Sequence, residues 1–134
     1  MSTNYYSENI QVLPVGLTRA VARILEHCVG HDQAIALDRL VQLANQNPAV
    51  VHADERQVRA AVEELRNDGM DVVNLMDGAG YFIPGKNEKD LYIRFRQSYT
   101  SRAKRIFETM SKMDATAKRK FGSLEENAQQ TSLF

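Results

Sequence analysis

The chain has 134 residues and a single cysteine, Cys28. One thiol excludes an intrachain disulfide and fits a reducing, cytoplasmic compartment. No apolar run approaches the ~18–20 residues that span a bilayer, so a membrane partner is not expected. The opening MSTNYYSENIQ has neither the basic start nor the apolar core of a secretory signal. Net charge is also missing, because 17 Lys and Arg offset 17 Asp and Glu. As a total, that argues against a polycation that coats nucleic acid. Hydrophobic residues make up 43% and charged residues 25%, the balance of an ordinary globular protein. At this length about two-thirds of the unfolded surface can be buried, so no disulfide or metal staple is required.

The charges are nevertheless sorted along the chain. Residues 1–85 hold six basic residues (Arg19, Arg23, Arg39, Arg56, Arg59 and Arg66) against eleven acidic ones, a balance of −5. Residues 86–120 hold eleven basic residues against Glu88, Asp90, Glu108 and Asp114, a balance of +7. Glu125 and Glu126 make the end acidic again. Such asymmetry points to contact with nucleic acid or an acidic partner through the basic segment; a solvated helix face rich in Lys and Arg has the same composition.

Hydrophobic periodicity divides the chain into four parts. Residues 1–16 read as a flexible lead-in closed by Pro14 and Gly16. Thr18 is then a candidate N-cap for a helix whose Leu17, Val21, Ile24, Leu25 and Cys28 recur at helical spacing, with Gly30 at its end. A second helix is predicted over Ala34–Asn45, stopped by Asn47-Pro48. Asp54 and Gln57 have the spacing of a capping box before a third helix, Glu55–Asp68, with a stripe of Val58, Ala61, Val62 and Leu65. The period then changes. Asp71–Met76 and Tyr81–Ile83 read as strands about the turn Asp77-Gly78-Ala79-Gly80. Three helices followed by a hairpin predict a mainly α (α+β) fold, a winged helix-turn-helix over residues 17–86 with a two-stranded wing.

Neither proline nor glycine occurs from Asn87 to Phe121, and this segment (87–121) reads as one long basic amphipathic helix starting at Asn87. At ~34 residues it would extend roughly 50 Å, longer than a body of about 85 residues is wide. Tyr92, Tyr99, Ile106 and Met113 recur every seven residues as a candidate dimer seam. Ala103, Met110 and Ala117 follow at four, and Leu91, Phe95 and Phe107 widen the stripe. Arg102, Thr109 and Thr116 interrupt the second seam of a long regular coiled coil. A homodimer, antiparallel or parallel, is therefore expected. Residues 122–134 read as a flexible tail.

The segments RQVRAAVEEL (56–65), GAGYFIP (78–84) and YTSRAKRI (99–106) give the chain a resemblance. It resembles small winged-helix proteins of bacterial phages and prophages, over residues ~17–120 by the size of such a domain. The resemblance implies a role in DNA replication or regulation and a third helix that faces DNA. That helix interleaves Arg56, Gln57, Arg59, Arg66 and Asn67 with Glu55, Glu63, Glu64 and Asp68, a departure from the usual basic recognition helix. Candidate DNA contacts are Arg56, Gln57 and Arg59, Lys86 near the wing, and the clusters Arg102, Lys104, Arg105 and Lys118, Arg119, Lys120. Contacts of this kind, mainly to phosphate, predict strong salt dependence and little sequence preference.

The sequence Gln130-Thr131-Ser132-Leu133-Phe134 resembles the pentapeptide that binds the bacterial DNA polymerase sliding clamp. In that resemblance Leu133 and Phe134 enter an apolar pocket, Gln130 fixes register through its amide and Ser132 supports the turn. The preceding GSLEENAQ (122–129) is polar, as a tether for a docking peptide is.

Other chemistry is poorly supported. Gly78-Ala79-Gly80 has no Lys-Ser/Thr following it and fits a wing better than a phosphate loop. His27, Cys28 and His31 are close in sequence, but Cys28 falls on the apolar stripe and a fourth ligand is missing apart from His52 or Asp32, so no metal is expected. Met70, Met76, Met110 and Met113 read as core or seam fillers. No catalytic set stands out, so neither an enzyme nor a cofactor is expected. The leading reading is a clamp-docking, replication-associated protein that recruits a DNA-binding module or blocks host polymerase; a dimeric operator-binding regulator and a pure adaptor are the rivals.

Overall fold

The first helical stripe forms α1, Leu17–Leu25, in the computed structural model, which describes Ile10, Leu13 and residues 15–125. Ala20, Val21, Ala22 and Leu25 make its buried face. Thr18 is not the N-cap. Gly16, at φ 146°, holds that position without a side-chain bond, and the Thr18 hydroxyl instead donates to Glu64 Oε1 at 3.3 Å. A glycine turns the chain into the helix where a Cβ would be strained. The helix also ends well before Gly30, and the Cys28 N–H donates to the Leu25 carbonyl at 2.9 Å.

The second helix starts later than its sequence pattern predicts. Residues His31–Gln33 form a 3-10 turn, and α2 covers only Leu37–Ala44. Ile35 is withheld from the helix because it exchanges both backbone hydrogen bonds with Tyr81, at 2.9 Å each. The Gly30 N–H donates to the Ile83 carbonyl and the Ile83 N–H to the Cys28 carbonyl, both at 2.8 Å. The other edge of β2 (Tyr81–Phe82) pairs antiparallel with β1 (Val73–Asn74), in the register Val73 to Phe82 and Asn74 to Tyr81. Both strands are shorter than the sequence predicts. Asn74 Oδ1 accepts from the Met76 N–H at 2.8 Å, and Met76 sits at φ 59°, so the strand closes into a local turn. Met76 is consequently 81% exposed and fills no core, unlike Met70.

The third helix, α3 (Glu55–Asn67), starts where its capping signal places it. Asp54 Oδ1 accepts from the Gln57 N–H at 2.8 Å, and Gln57 Oε1 accepts from the Asp54 N–H at 2.9 Å. Val58, Ala61, Val62 and Leu65 are buried, as the stripe requires. Helices α1, α2 and α3 pack on one another around a core that includes Val21, Leu25, Leu40, Val58, Val62 and Val72. The connection from α2 to α3 is held by Asn45. Its amide donates to the Val41 and Ala53 carbonyls at 3.0 and 2.9 Å, and its oxygen accepts from the Ala53 N–H at 2.7 Å.

The long helix, α4, covers Lys89–Phe121, 33 residues or about 50 Å. It begins two residues after Asn87. Glu88 organises the start, with Oε1 accepting from the Gly85 N–H at 2.9 Å and Oε2 from the His31 N–H at 3.0 Å. Among the described residues the protein is thus mainly helical, with a two-stranded antiparallel sheet and a long C-terminal helix. It divides into two compact units, Met1–Phe95 and Arg96–Phe134. No helix of the described residues is long and apolar enough to cross a membrane.

Two outcomes test this frame. Gly80 has φ +103°, and a Cβ there would overlap the Ile35 carbonyl and lie 2.8 Å from Ala36 Cα. Gly80→Ala should cost about 2–4 kcal/mol in urea unfolding. Gly78, at φ +91° with nothing near its Cβ position, should lose only about 1–2 kcal/mol on the same change. The second outcome concerns pH. Hydrogen bonds from the Gly85 and His31 backbone hold the Glu88 carboxyl below its ordinary range. A carboxyl with a lowered folded pKa contributes stability above its unfolded pKa and loses it as pH falls through the folded value. The stability gap between wild type and Glu88→Gln should therefore be open at neutral pH and close below about pH 4 in thermal melts.

Candidate nucleic-acid and partner surfaces

On α3 the capping box and the buried stripe leave Arg56, Gln57 and Arg59 exposed. Their neighbours limit what they can read. Gln57 Oε1 is already committed to the Asp54 N–H, and Arg59 pairs with Glu55 at 3.5 Å. Arg66 belongs to the framework. It bonds Glu63 at 2.7 Å, donates from Nε to the Val72 carbonyl at 2.9 Å and lies 5.0 Å from the centre of the Phe95 ring. The outward face of α3 is therefore a mixture of both signs, with Glu64 beside Thr18. Lys86 is exposed close to the end of the hairpin.

The second concentration of polar groups joins residues far apart in sequence. His31 Nε2 lies 2.8 Å from Asp77 Oδ2, and its ring meets Phe82 edge-on with centroids 5.2 Å apart. The Ala79 N–H, and then His31, hold the Asp77 carboxyl below its ordinary range. The contact ties the 3-10 turn to the hairpin turn, and 46 residues separate its partners. No local pattern announces such a pair.

The cysteine and histidine cluster does not assemble into a ligand set. Cys28 Sγ faces the Ile24 carbonyl at 3.4 Å, and burial pushes its thiol pKa up, which makes it a poor thiolate. Among the described residues, no three His, Cys, Asp or Glu side chains are grouped to hold a metal ion.

On α4 every candidate cation, Arg102, Lys104, Arg105, Lys118, Arg119 and Lys120, is exposed. None of the helix's residues is buried. The proposed seam positions Tyr92 and Tyr99 retain 38% and 39% exposure, Ile106 and Met113 63% and 62%. Arg102 and Arg105 share with Ile106, Thr109, Met110 and Met113 an open groove of about 290 Å³. One flank of the stripe is thus apolar and cationic at once. Lys112, which the clusters of adjacent cations do not include, falls on that same flank, seven residues after Arg105.

The helix is closed by Gly122, at φ +82°, whose N–H donates to the Lys118 carbonyl at 2.8 Å. The clamp-type residues Gln130, Ser132, Leu133 and Phe134 lie outside the described residues. No known protein family matches the chain, and neither does any curated protein or solved structure.

Proposed function

We propose that this chain is a phage- or prophage-type, replication-associated winged-helix protein that docks on the bacterial sliding clamp through Gln130–Phe134. The observation that carries this reading is the pentapeptide itself, Gln130-Thr131-Ser132-Leu133-Phe134, following a polar stretch in the sequence. Its chemistry suits capture by an apolar pocket. Leu133 and Phe134 supply the buried surface, and the Gln130 amide and Ser132 hydroxyl supply directional bonds.

Two features support a winged-helix body. The hairpin follows α3 directly in the chain, and the segment before α2 pairs through Ile35 with the returning strand. Duplex DNA is the second partner in this reading, held by α4 more than by α3. The acidic neighbours of Arg56 and Arg59 oppose phosphate contact, whereas residues 86–120 have a balance of +7. The protein would then act in the cytoplasm, without a cofactor and without catalysis. It brings a DNA-holding module to the clamp or occupies the site that a polymerase uses.

The rival reading is a dimeric regulator whose α3 reads an operator. It requires a footprint on one defined sequence that survives moderate salt. Clamp capture decides the leading reading. Full-length chain should retain purified bacterial clamp in a pulldown, and a chain lacking Gln130–Phe134 should not. Phe134→Ala alone should weaken binding roughly 30-fold, the equivalent of about 2 kcal/mol for a buried aromatic side chain. Equal retention by both chains, or by neither, would refute the reading.

A further inference from the structure

We propose that α4 pairs antiparallel with α4 of a second copy, centred on Glu108, and that this pairing assembles one continuous cationic face for the phosphate backbone of duplex DNA. The DNA half of the proposal rests on the DNA reading above; the pairing does not.

The stripe consists of two interleaved positions. Tyr99, Ile106 and Met113 occupy one, and Ala103, Met110 and Ala117 the other. An antiparallel pair sets members of one position against members of the other. Centred on Glu108, Tyr99 meets Ala117 of the second copy, Ala103 meets Met113 and Ile106 meets Met110. Every layer then joins a large residue to a small one, or two of medium size. A parallel pair would stack Ala103 on Ala103 and Ala117 on Ala117, leaving voids, and would crowd Tyr99 against Tyr99.

The flanking residues agree with this arrangement. Arg102, Thr109 and Thr116 line one flank, Thr100, Phe107 and Asp114 the other. In an antiparallel pair each flank meets its own kind, so Phe107 packs on its equivalent beside the two-fold axis and Arg102 lies against Thr116. No like charges oppose each other until Arg96 reaches Lys120, where the seam stops. Ile106, Phe107 and Met113 are 60–63% exposed in the single chain, and Met110 47%. Together with Tyr99, which keeps 39% of its surface exposed, they form one apolar stripe that a second copy can cover.

The charge follows from the pairing. Arg102, Arg105, Lys112 and Arg119 share the Thr109 flank of the helix, and no carboxylate lies there between Ser98 and Arg119. The groove that joins Arg102 and Arg105 to Ile106, Met110 and Met113 marks this flank in the structure. Antiparallel pairing brings the equivalent flanks of both copies to one broad face. Four cations from each copy then extend along about 26 Å. The opposite broad face stays mixed, with Lys104, Lys118, Asp114 and Phe107. A single copy has only half of this face, and a parallel pair sets the cationic flank of one copy beside the mixed flank of the other.

Crosslinking and salt titration test the two halves. In a Cys28→Ser background, Phe107→Cys should oxidise readily to a disulfide-linked dimer and Tyr99→Cys should not. The reverse preference overturns the antiparallel pairing. Unmodified protein should have the mass of a dimer in solution, and Met110→Asp should be monomeric with its helical circular dichroism intact. A wild-type monomer at high concentration overturns the pairing by a second route. For the face, Arg105→Gln with Lys112→Gln removes two cations per copy. It should lower the slope of log affinity for duplex DNA against log salt by about 3–4, whereas Lys104→Gln with Lys118→Gln should change it far less. Equal effects of the two pairs, or no DNA binding by the dimer, overturn the cationic face. None of these variants touches Gln130–Phe134, so clamp capture fails or succeeds independently.

Discussion

The body of this protein depends on one backbone exchange, the pair of hydrogen bonds between Ile35 and Tyr81. It draws the chain between α1 and α2 out of helix and onto the free edge of β2. A two-residue strand gains little from one neighbour; with β1 on one edge and Ile35 on the other, the hairpin becomes part of the body. The price is a glycine at position 80, because the two backbones approach too closely for any Cβ. The same segment delivers His31 to Asp77 and offers its own N–H to Glu88. One exchange thus fixes the start of α2, the hairpin and the start of α4 together.

The long helix obeys a different constraint. With no buried residue, α4 has little tertiary packing of its own, although most helical stability in proteins comes from packing an amphipathic face. Its large side chains are regularly spaced and lie on one stripe, the surface that the proposed pairing would cover. Along that stripe the order Tyr99, Ala103, Ile106, Met110, Met113, Ala117 is the volume pattern that the proposed antiparallel pairing uses. Its cations fall on the flanks and the far side, where such a seam leaves them available to a polyanion.

Much of this was legible in the residues. Asp54 and Gln57 marked the start of α3, and Val58, Ala61, Val62 and Leu65 marked its buried face, because a cap and a 3.6-residue stripe are local rules that tertiary contacts only reinforced. The boundaries of α1 and α2 were not. Thr18 has the right chemistry for a cap, but Gly16 supplied the turn. Ile35 fits a helical stripe, but a strand more than 40 residues away claimed its backbone. Met76 reads as apolar filler, yet the Asn74 side chain bends the strand and turns Met76 to solvent.

Local rules account for the helical stripes, the cap of α3, the order of three helices and a hairpin, the lack of proline and glycine in α4 and the segregation of charge into −5, +7 and an acidic end. These are properties of neighbours within one or two turns, or of simple counting. Long-range contacts set the point where the chain leaves helix to join the hairpin, the Asn45 clamp on the Ala53 backbone, the meeting of His31 with Asp77 and the exposure of the apolar stripe on α4. Each of these depends on groups brought together across many residues, and the backbone of a distant strand outcompetes local propensity when it offers two good hydrogen bonds and a buried edge.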